Sequence, residues 1–289
     1  MNYAAVAKRI NAYERLIRLD KPIGALLLLW PTLWAVWIAS FGRPALDVIV
    51  IFVAGTFLMR SAGCALNDWA DRDFDGRVAR TRDRPLATGE IAPREALAVG
   101  AVLALIAFCF VLFLNRFAIL LSVAALAVAC AYPFAKRFVS LPQLGLSIAF
   151  SFGIPMAFAA VRNELPRECW LLFAANACHA FAYDTEYAMV DREDDLKVGI
   201  HTSAITLGRY DVAAVMASYA LMALLLAWAG VSLQLGWAYY AGLTAAAAMM
   251  HYHYTLIRER SPEGCFRAFR HNNWVGFVIF AGIALSYIL

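Results

Sequence analysis

Charge is what this sequence has least of. Only 16% of its 289 residues are Asp, Glu, Lys or Arg, 63% are hydrophobic, and the mean hydropathy is +0.64. Soluble domains carry about 25% charged and about 45–50% apolar residues, so a soluble globular chain is excluded. The net charge of +4 marks no basic patch, and no nucleic-acid partner is expected. The six cysteines show no Cys-x-x-Cys spacing and fall mostly in apolar runs, which excludes a zinc site or a disulfide framework and leaves small buried hydrophobes. Alternating ten-residue patterns are absent, which excludes a β-barrel, and there is no low-complexity stretch or soluble insert. A cleavable signal is not expected either, because 21 residues of mixed polarity precede the first apolar run.

What is present is a series of apolar runs, each of roughly 20 residues. They lie at roughly 22–41, 46–66, 95–114, 117–135, 143–161, 169–190, 210–229, 232–256 and 271–288. Only helices or closed barrels satisfy the backbone in lipid, so the expected fold is all-α: one membrane domain over 1–289 with nine transmembrane helices. Twenty of the 25 Lys and Arg residues fall in the amino-terminal tail and alternate loops, four fall on the other side (Arg43, Arg116, Arg162, Arg167), and Arg60 lies within a run. The positive side is expected to be cytoplasmic, with the amino terminus inside and the carboxyl terminus outside. Tryptophans near the run ends read as interface belts and bundle packing, and prolines 22, 31, 133, 142 and 155 as kinks or helix starts.

Against this background two acidic strings stand out. The first holds Asn67, Asp68, Asp71 and Asp75, and the second holds Asp184, Asp191 and Asp195. Carboxylates are expensive near a bilayer, so a chain this apolar is not expected to place them idly. Asn67, Asp71 and Asp75 recur every four residues, which stacks them on one helix face. Their oxygens suit the hard Mg²⁺ ion, which keeps waters and bridges to substrate phosphates. Arg80 and Arg84 follow at the same spacing, placed to clamp a diphosphate. Taken alone, the loop also reads as a solvated run of mixed charge. In the second string Asp184, Asp191 and Asp195 fall within about 60° of one another on a helix, and Asp184 lies inside an apolar run. Glu193 and Asp194 point elsewhere and read as solvated. A weak echo between the strings hints at two related halves.

These residues carry a resemblance. Asn67-Asp68-x-x-Asp71-x-x-x-Asp75 followed by Arg80-Thr81-x-x-Arg84-Pro85, with Tyr183-Asp184-Thr185-x-Tyr187-Ala188-x-x-Asp191-x-x-x-Asp195 later, resembles the UbiA superfamily of intramembrane prenyltransferases. The stretch Asp20-Lys21-Pro22-Ile23-Gly24 with Leu26 to Thr32 resembles the 4-hydroxybenzoate polyprenyltransferase branch. The resemblance runs through nearly the whole chain. It implies a nine-helix protein of the bacterial inner membrane, with its site facing the cytoplasm. The implied partners are a polyprenyl diphosphate and 4-hydroxybenzoate, joined with Mg²⁺ in ubiquinone synthesis. By the same resemblance Asn67, Asp71 and Asp75 hold one magnesium–diphosphate group and Asp184, Asp191 and Asp195 the other. Arg80, Arg84, Lys136 and more weakly Lys21 match basic positions directed at diphosphate, and Tyr132 matches a tyrosine near the ionising bond. Asp71, Asp191 and Tyr132 are thereby expected to be catalytic. Gly199-Ile200 is followed by His201 where the family commonly has lysine, so a phosphate contact there is not carried over.

The acceptor carboxylate needs a cation, and Arg137, beside Lys136, is the first candidate; a topology role for it is equally open. Asp191 has two open roles, metal ligand or partner of the acceptor phenol and its ring proton. Asn115, His179, His251 and His253 are given no role beyond hydrogen bonds between helices. Two other functions stay open: the same transfer to another acceptor such as a naphthoate or homogentisate, and a divalent-cation transporter. The transporter predicts acids spread through the membrane depth, whereas these cluster at one side beside arginines.

Overall fold

The computed structural model describes residues 3–76, 80–135 and 138–289, and among them every regular element is helical. An amphipathic helix α1 (Tyr3–Leu16) precedes α2 (Ile23–Ala39), α3 (Leu46–Asp75), α4 (Pro93–Val111) and α5 (Arg116–Ala135). Then come α6 (Pro142–Ser151), α7 (Gly153–Arg162), α8 (Arg167–Val190) and two short helices, α9 (Arg192–Val198) and α10 (Ser203–Leu207). The bundle closes with α11 (Asp211–Ser232), α12 (Trp237–Ile257) and α13 (Pro262–Ser286).

Each apolar run expected from sequence is helical, but the run at 143–161 is two helices. Pro155 has no N–H to donate to the Ser151 carbonyl four residues back, and α6 ends at Ser151. Five stretches among the described residues are long and apolar enough to cross a membrane: Leu46–Asp73, Pro93–Val111, Arg116–Phe134, Pro142–Arg162 and Ser203–Ser232. Leu105, Phe113, Leu120, Leu224 and Val231 are exposed on α4, α5, α11 and the α4–α5 turn. An apolar rind of this extent belongs in lipid, so the chain is a multi-pass membrane protein.

In lipid, helices associate through close packing and hydrogen bonds rather than by escaping water. At α12 and α13 a Cβ on Gly242 would stand 2.7 Å from the Val278 carbonyl and 3.1 Å from the Gly282 Cα, so only glycine lets the two backbones meet. Helix α2 runs through the middle, where Trp34 is wholly buried and its indole N–H donates to the Gly276 carbonyl at 3.0 Å.

A buried polar cluster ties four helices together. Glu186 of α8 meets the Tyr219 hydroxyl at 2.9 Å and accepts from Asn272 Nδ2 at 2.8 Å. Tyr219 also meets His253 Nδ1 at 3.0 Å, and His179 Nε2 lies 3.0 Å from Asn272 Oδ1. His179 and His253 therefore do what was expected of them, binding helix to helix. Asn115 does likewise, donating to the Ala159 carbonyl at 2.6 Å. His251 is exposed and stacks on Tyr254.

Helix α1 is too polar to span. It docks through Ala12 and Leu16, which pack with Leu86 and Ile91 from the segment leading into α4 and with Ala96 of α4 itself. Arg9 and Tyr13 reach Glu95, and Arg15 reaches Glu90.

Candidate active site

At 30 residues α3 is about 45 Å long, well beyond a hydrocarbon core of about 30 Å, so its last turns project from the apolar slab. Those turns carry Asn67, Asp68, Asp71 and Asp75. Asp191 caps the carboxyl end of α8. The first string thus sits at the negative end of the α3 dipole, where carboxylates are disfavoured unless cations from elsewhere compensate, whereas Asp191 also caps the amino end of α9 and Asp195 lies in its first turn.

Those cations come from the loop after α3. Arg84 Nη1 donates to Asp75 Oδ2 at 2.8 Å and lies 3.0 Å from Asp68 Oδ1. Arg80 crosses to the other string: its Nε donates to both Asp191 oxygens at 3.0 and 2.8 Å, and its guanidinium lies 4.5 Å above the Tyr187 ring. The loop is pinned by Thr81 Oγ1, which donates to the Asp75 carbonyl at 2.8 Å. Asn67 Nδ2 donates to Asp71 Oδ2 at 3.1 Å. Burial pushes the Asp75 carboxyl above its ordinary range; Arg84 opposes this, and Asp71 and Asp68 add to it. Burial works against the Arg84 charge, but Asp68 and Asp75 outweigh it and hold its pKa above the usual value.

Asp184 is half-buried, one and a half turns before the end of α8, and Asp195 is half-buried in α9. Asp194 is bound by Lys197 at 3.1 Å. The oxygens of Asn67 and the five aspartates are the hard donors that Mg²⁺ takes, so the chemistry fits that ion. Among the described residues, however, no three His, Cys, Asp or Glu side chains converge as a closed cage. Asp75 and Asp191 face arginines instead.

Below this polar floor an apolar cavity of about 190 Å³ runs between α2, α3, α4, α5 and the α6–α7 pair. Gly55 and Gly63 of α3 line it, and a Cβ on either would touch nothing within 4 Å. Tyr132 and Arg60 also line it. Tyr132 packs edge-on against Phe150, and the Arg60 guanidinium lies 5.6 Å from the same ring. The Arg60 Nε is buried and has no hydrogen-bond partner.

Arg60 and Asp68 are residues that the sequence displayed but to which it gave no role of their own. A single guanidinium in the apolar run 46–66 was the available signal for Arg60, since such a group is a site hypothesis by default. The structure also explains one glycine of the amino-terminal string: a Cβ on Gly24 would stand 2.7 Å from Arg60 Nη2. Trp30 of that string packs against Phe277 and Phe280 of α13 and donates to Asn273 Oδ1 at 2.8 Å. Lys21 is exposed in the α1–α2 turn, 4.0 Å from Asp20, and His201 is exposed between α9 and α10. Lys136 and Arg137 lie outside the described residues.

Residues 28–277 match the UbiA prenyltransferase family. The chain is 62% identical to the 4-hydroxybenzoate octaprenyltransferase of Cupriavidus necator over 282 residues, 98% of this chain and 99% of that one. It is 59% identical to the enzyme of the same name from an Azoarcus species, over 98% and 99% of the two chains. Among solved structures, an apo UbiA homolog from Aeropyrum pernix superposes with a TM-score of 0.79 at 27% identity, covering 91% of this chain and 98% of that one. A UbiA homolog from Archaeoglobus fulgidus bound to GPP and Mg²⁺ shares the fold, with a TM-score of 0.73 at 18% identity over 96% and 100% of the chains.

Proposed function

The chain belongs to the UbiA prenyltransferase family, and from that premise we propose that it is a 4-hydroxybenzoate polyprenyltransferase of ubiquinone synthesis. It moves a polyprenyl group from its diphosphate to the ring carbon ortho to the hydroxyl of 4-hydroxybenzoate. One observation carries the reading: Arg80, in the loop after the first acidic string, binds Asp191 of the second. The two strings so share a single polar floor, above an apolar cavity. Diphosphate at the floor and prenyl chain in the cavity is the division of substrate that this arrangement suits.

Asn67, Asp71, Asp75, Asp184, Asp191 and Asp195 would hold Mg²⁺, which would supply charge neutralisation of the leaving diphosphate. The chain's own residues do the rest. Arg80 and Arg84 exchange their carboxylate partners for diphosphate oxygens and carry part of the developing negative charge. The allylic C–O bond breaks, its electrons leaving with diphosphate. The ring carbon then attacks the allylic carbon, and loss of the ring proton restores aromaticity. The apolar cavity wall keeps water from the cation. Tyr132 faces that reacting space.

Arg60 joins Arg137 as a candidate partner of the acceptor carboxylate. A buried guanidinium with an unused donor at the end of an apolar cavity binds a planar carboxylate well. The single domain crosses the inner membrane nine times with its amino terminus and site on the cytoplasmic side, consistent with the charge asymmetry of the loops. Purified protein given a polyprenyl diphosphate, Mg²⁺ and 4-hydroxybenzoate should form the 3-polyprenyl product, and a naphthoate acceptor should not replace it. Failure with 4-hydroxybenzoate and success with naphthoate would reassign the acceptor.

A further inference from the structure

Asp68 is the most buried acid of the first string, 1% exposed, and lies at the edge of the face shared by Asn67, Asp71 and Asp75, beside Asp75 and farthest from Asn67. Its two oxygens are occupied by guanidinium groups. Arg18 Nη2 donates to Oδ1 at 2.9 Å and Oδ2 at 3.0 Å, and Arg84 Nη1 stands 3.0 Å from Oδ1. On α3 Asp68 and Asp75 are seven residues apart, nearly in line, so the two carboxylates grip the same Arg84 nitrogen. Asp75 must release Arg84 to take part in holding metal and diphosphate; Asp68 need not. Arg18 itself sits in the left-handed region at φ 58°, an uncommon place for a non-glycine residue. It is kept there by bonds to the Arg15 carbonyl and to Asp68. Behind it α1 is clamped to the segment carrying Glu90 and Glu95 by Arg15, Arg9 and the Leu16–Leu86 packing.

We propose that Asp68 is a positioning residue rather than a metal ligand: it holds Arg84 at the rim of the floor, and through Arg18 it makes α1 part of the donor-binding apparatus. The proposal rests on the reading of Arg84 as a diphosphate ligand. It deepens that reading by assigning work to a buried acid and to an amino-terminal helix that otherwise have none. When Arg84 turns from Asp75 to a diphosphate oxygen, Asp68 supplies the fixed end of the movement, and Arg18 keeps Asp68 from following.

The test is Asp68→Asn in detergent-solubilised full-length protein, with Arg18→Gln as a second variant that removes the partner of Asp68 lying outside both acidic strings and the cavity. Donor KM and the Kd of an unreactive polyprenyl thiolodiphosphate should both rise, about tenfold for Asp68→Asn and about threefold for Arg18→Gln. The double variant should match Asp68→Asn alone, because both act through one contact. The Mg²⁺ concentration giving half-maximal rate at saturating donor should stay within a factor of two. A large shift in that Mg²⁺ midpoint would make Asp68 a metal ligand and overturn the proposal. So would a fall in thermal midpoint with unchanged KM and Kd, which is the signature of a purely structural ion pair. Wild-type protein that fails to prenylate 4-hydroxybenzoate, by contrast, would sink the function itself. Active wild type with an indifferent Asp68→Asn sinks only the positioning role.

Discussion

Gly24 and Arg60 compete for one space: a side chain on the first would stand 2.7 Å from the guanidinium of the second. The clash is with the far end of a flexible side chain, so Gly24→Ala should fold and displace Arg60. The expected result is a several-fold rise in KM for 4-hydroxybenzoate with donor KM unchanged. A donor effect of the same size would show that Arg60 serves the diphosphate instead.

Arg60→Leu should lower kcat/KM for 4-hydroxybenzoate by about 10–100-fold, the worth of a charge-assisted carboxylate contact of about 1.5–3 kcal/mol. With an acceptor lacking the carboxylate, such as a simple phenol, wild type and variant should converge. Steady-state rates with both acceptors check this.

Asp71→Ala and Asp191→Ala should each reduce turnover by more than about a hundredfold while leaving the bundle folded. Circular dichroism and membrane yield monitor the fold. Chelating divalent ions from wild type should remove activity, and Mg²⁺ should restore it. Either variant retaining wild-type turnover would lose its place on the floor.

Tyr219→Phe should leave activity per folded molecule near wild type but destabilise the α8–α11–α12–α13 half by about 1–3 kcal/mol. The buried Glu186 and His253 each lose a partner there. Thermal unfolding in detergent measures the loss.

The docking of α1 should respond only to acid. Burial works to raise the Glu90 carboxyl, but hydrogen bonds from Arg15 and Thr88 outweigh it and hold it below its ordinary value. A depressed folded-state pKa contributes stability that is complete above the unfolded value of about 4.3 and is lost as pH falls through the lower, folded value. Hydrogen exchange of α1 amides should therefore show constant protection, after correction for intrinsic rates, from pH 5 to 8, and loss below about pH 4. Loss of protection near neutrality would assign the docking to another group.

Run length and the position of charge determined much of this protein without any tertiary information. A helix needs about 20 apolar residues to cross lipid, so the runs declared helices, and acids spaced by four declared a common face. Asn67, Asp71 and Asp75 were legible because helix periodicity is local. Pro155 marked a kink, though not that it would divide a run into two helices. What folding alone decided was every relation across the chain. Arg80 reaches Asp191, 111 residues away, Arg18 reaches Asp68, and Glu186 turns from the floor toward Tyr219. Nothing in local sequence states which buried guanidinium meets which carboxylate, because that depends on how helices distant in the chain rotate and pack against one another. Arg60 shows the division most plainly. Its charge in an apolar run was visible in the sequence, but the space made for it by Gly24 and its place at the end of the cavity exist only when α2 lies against α3.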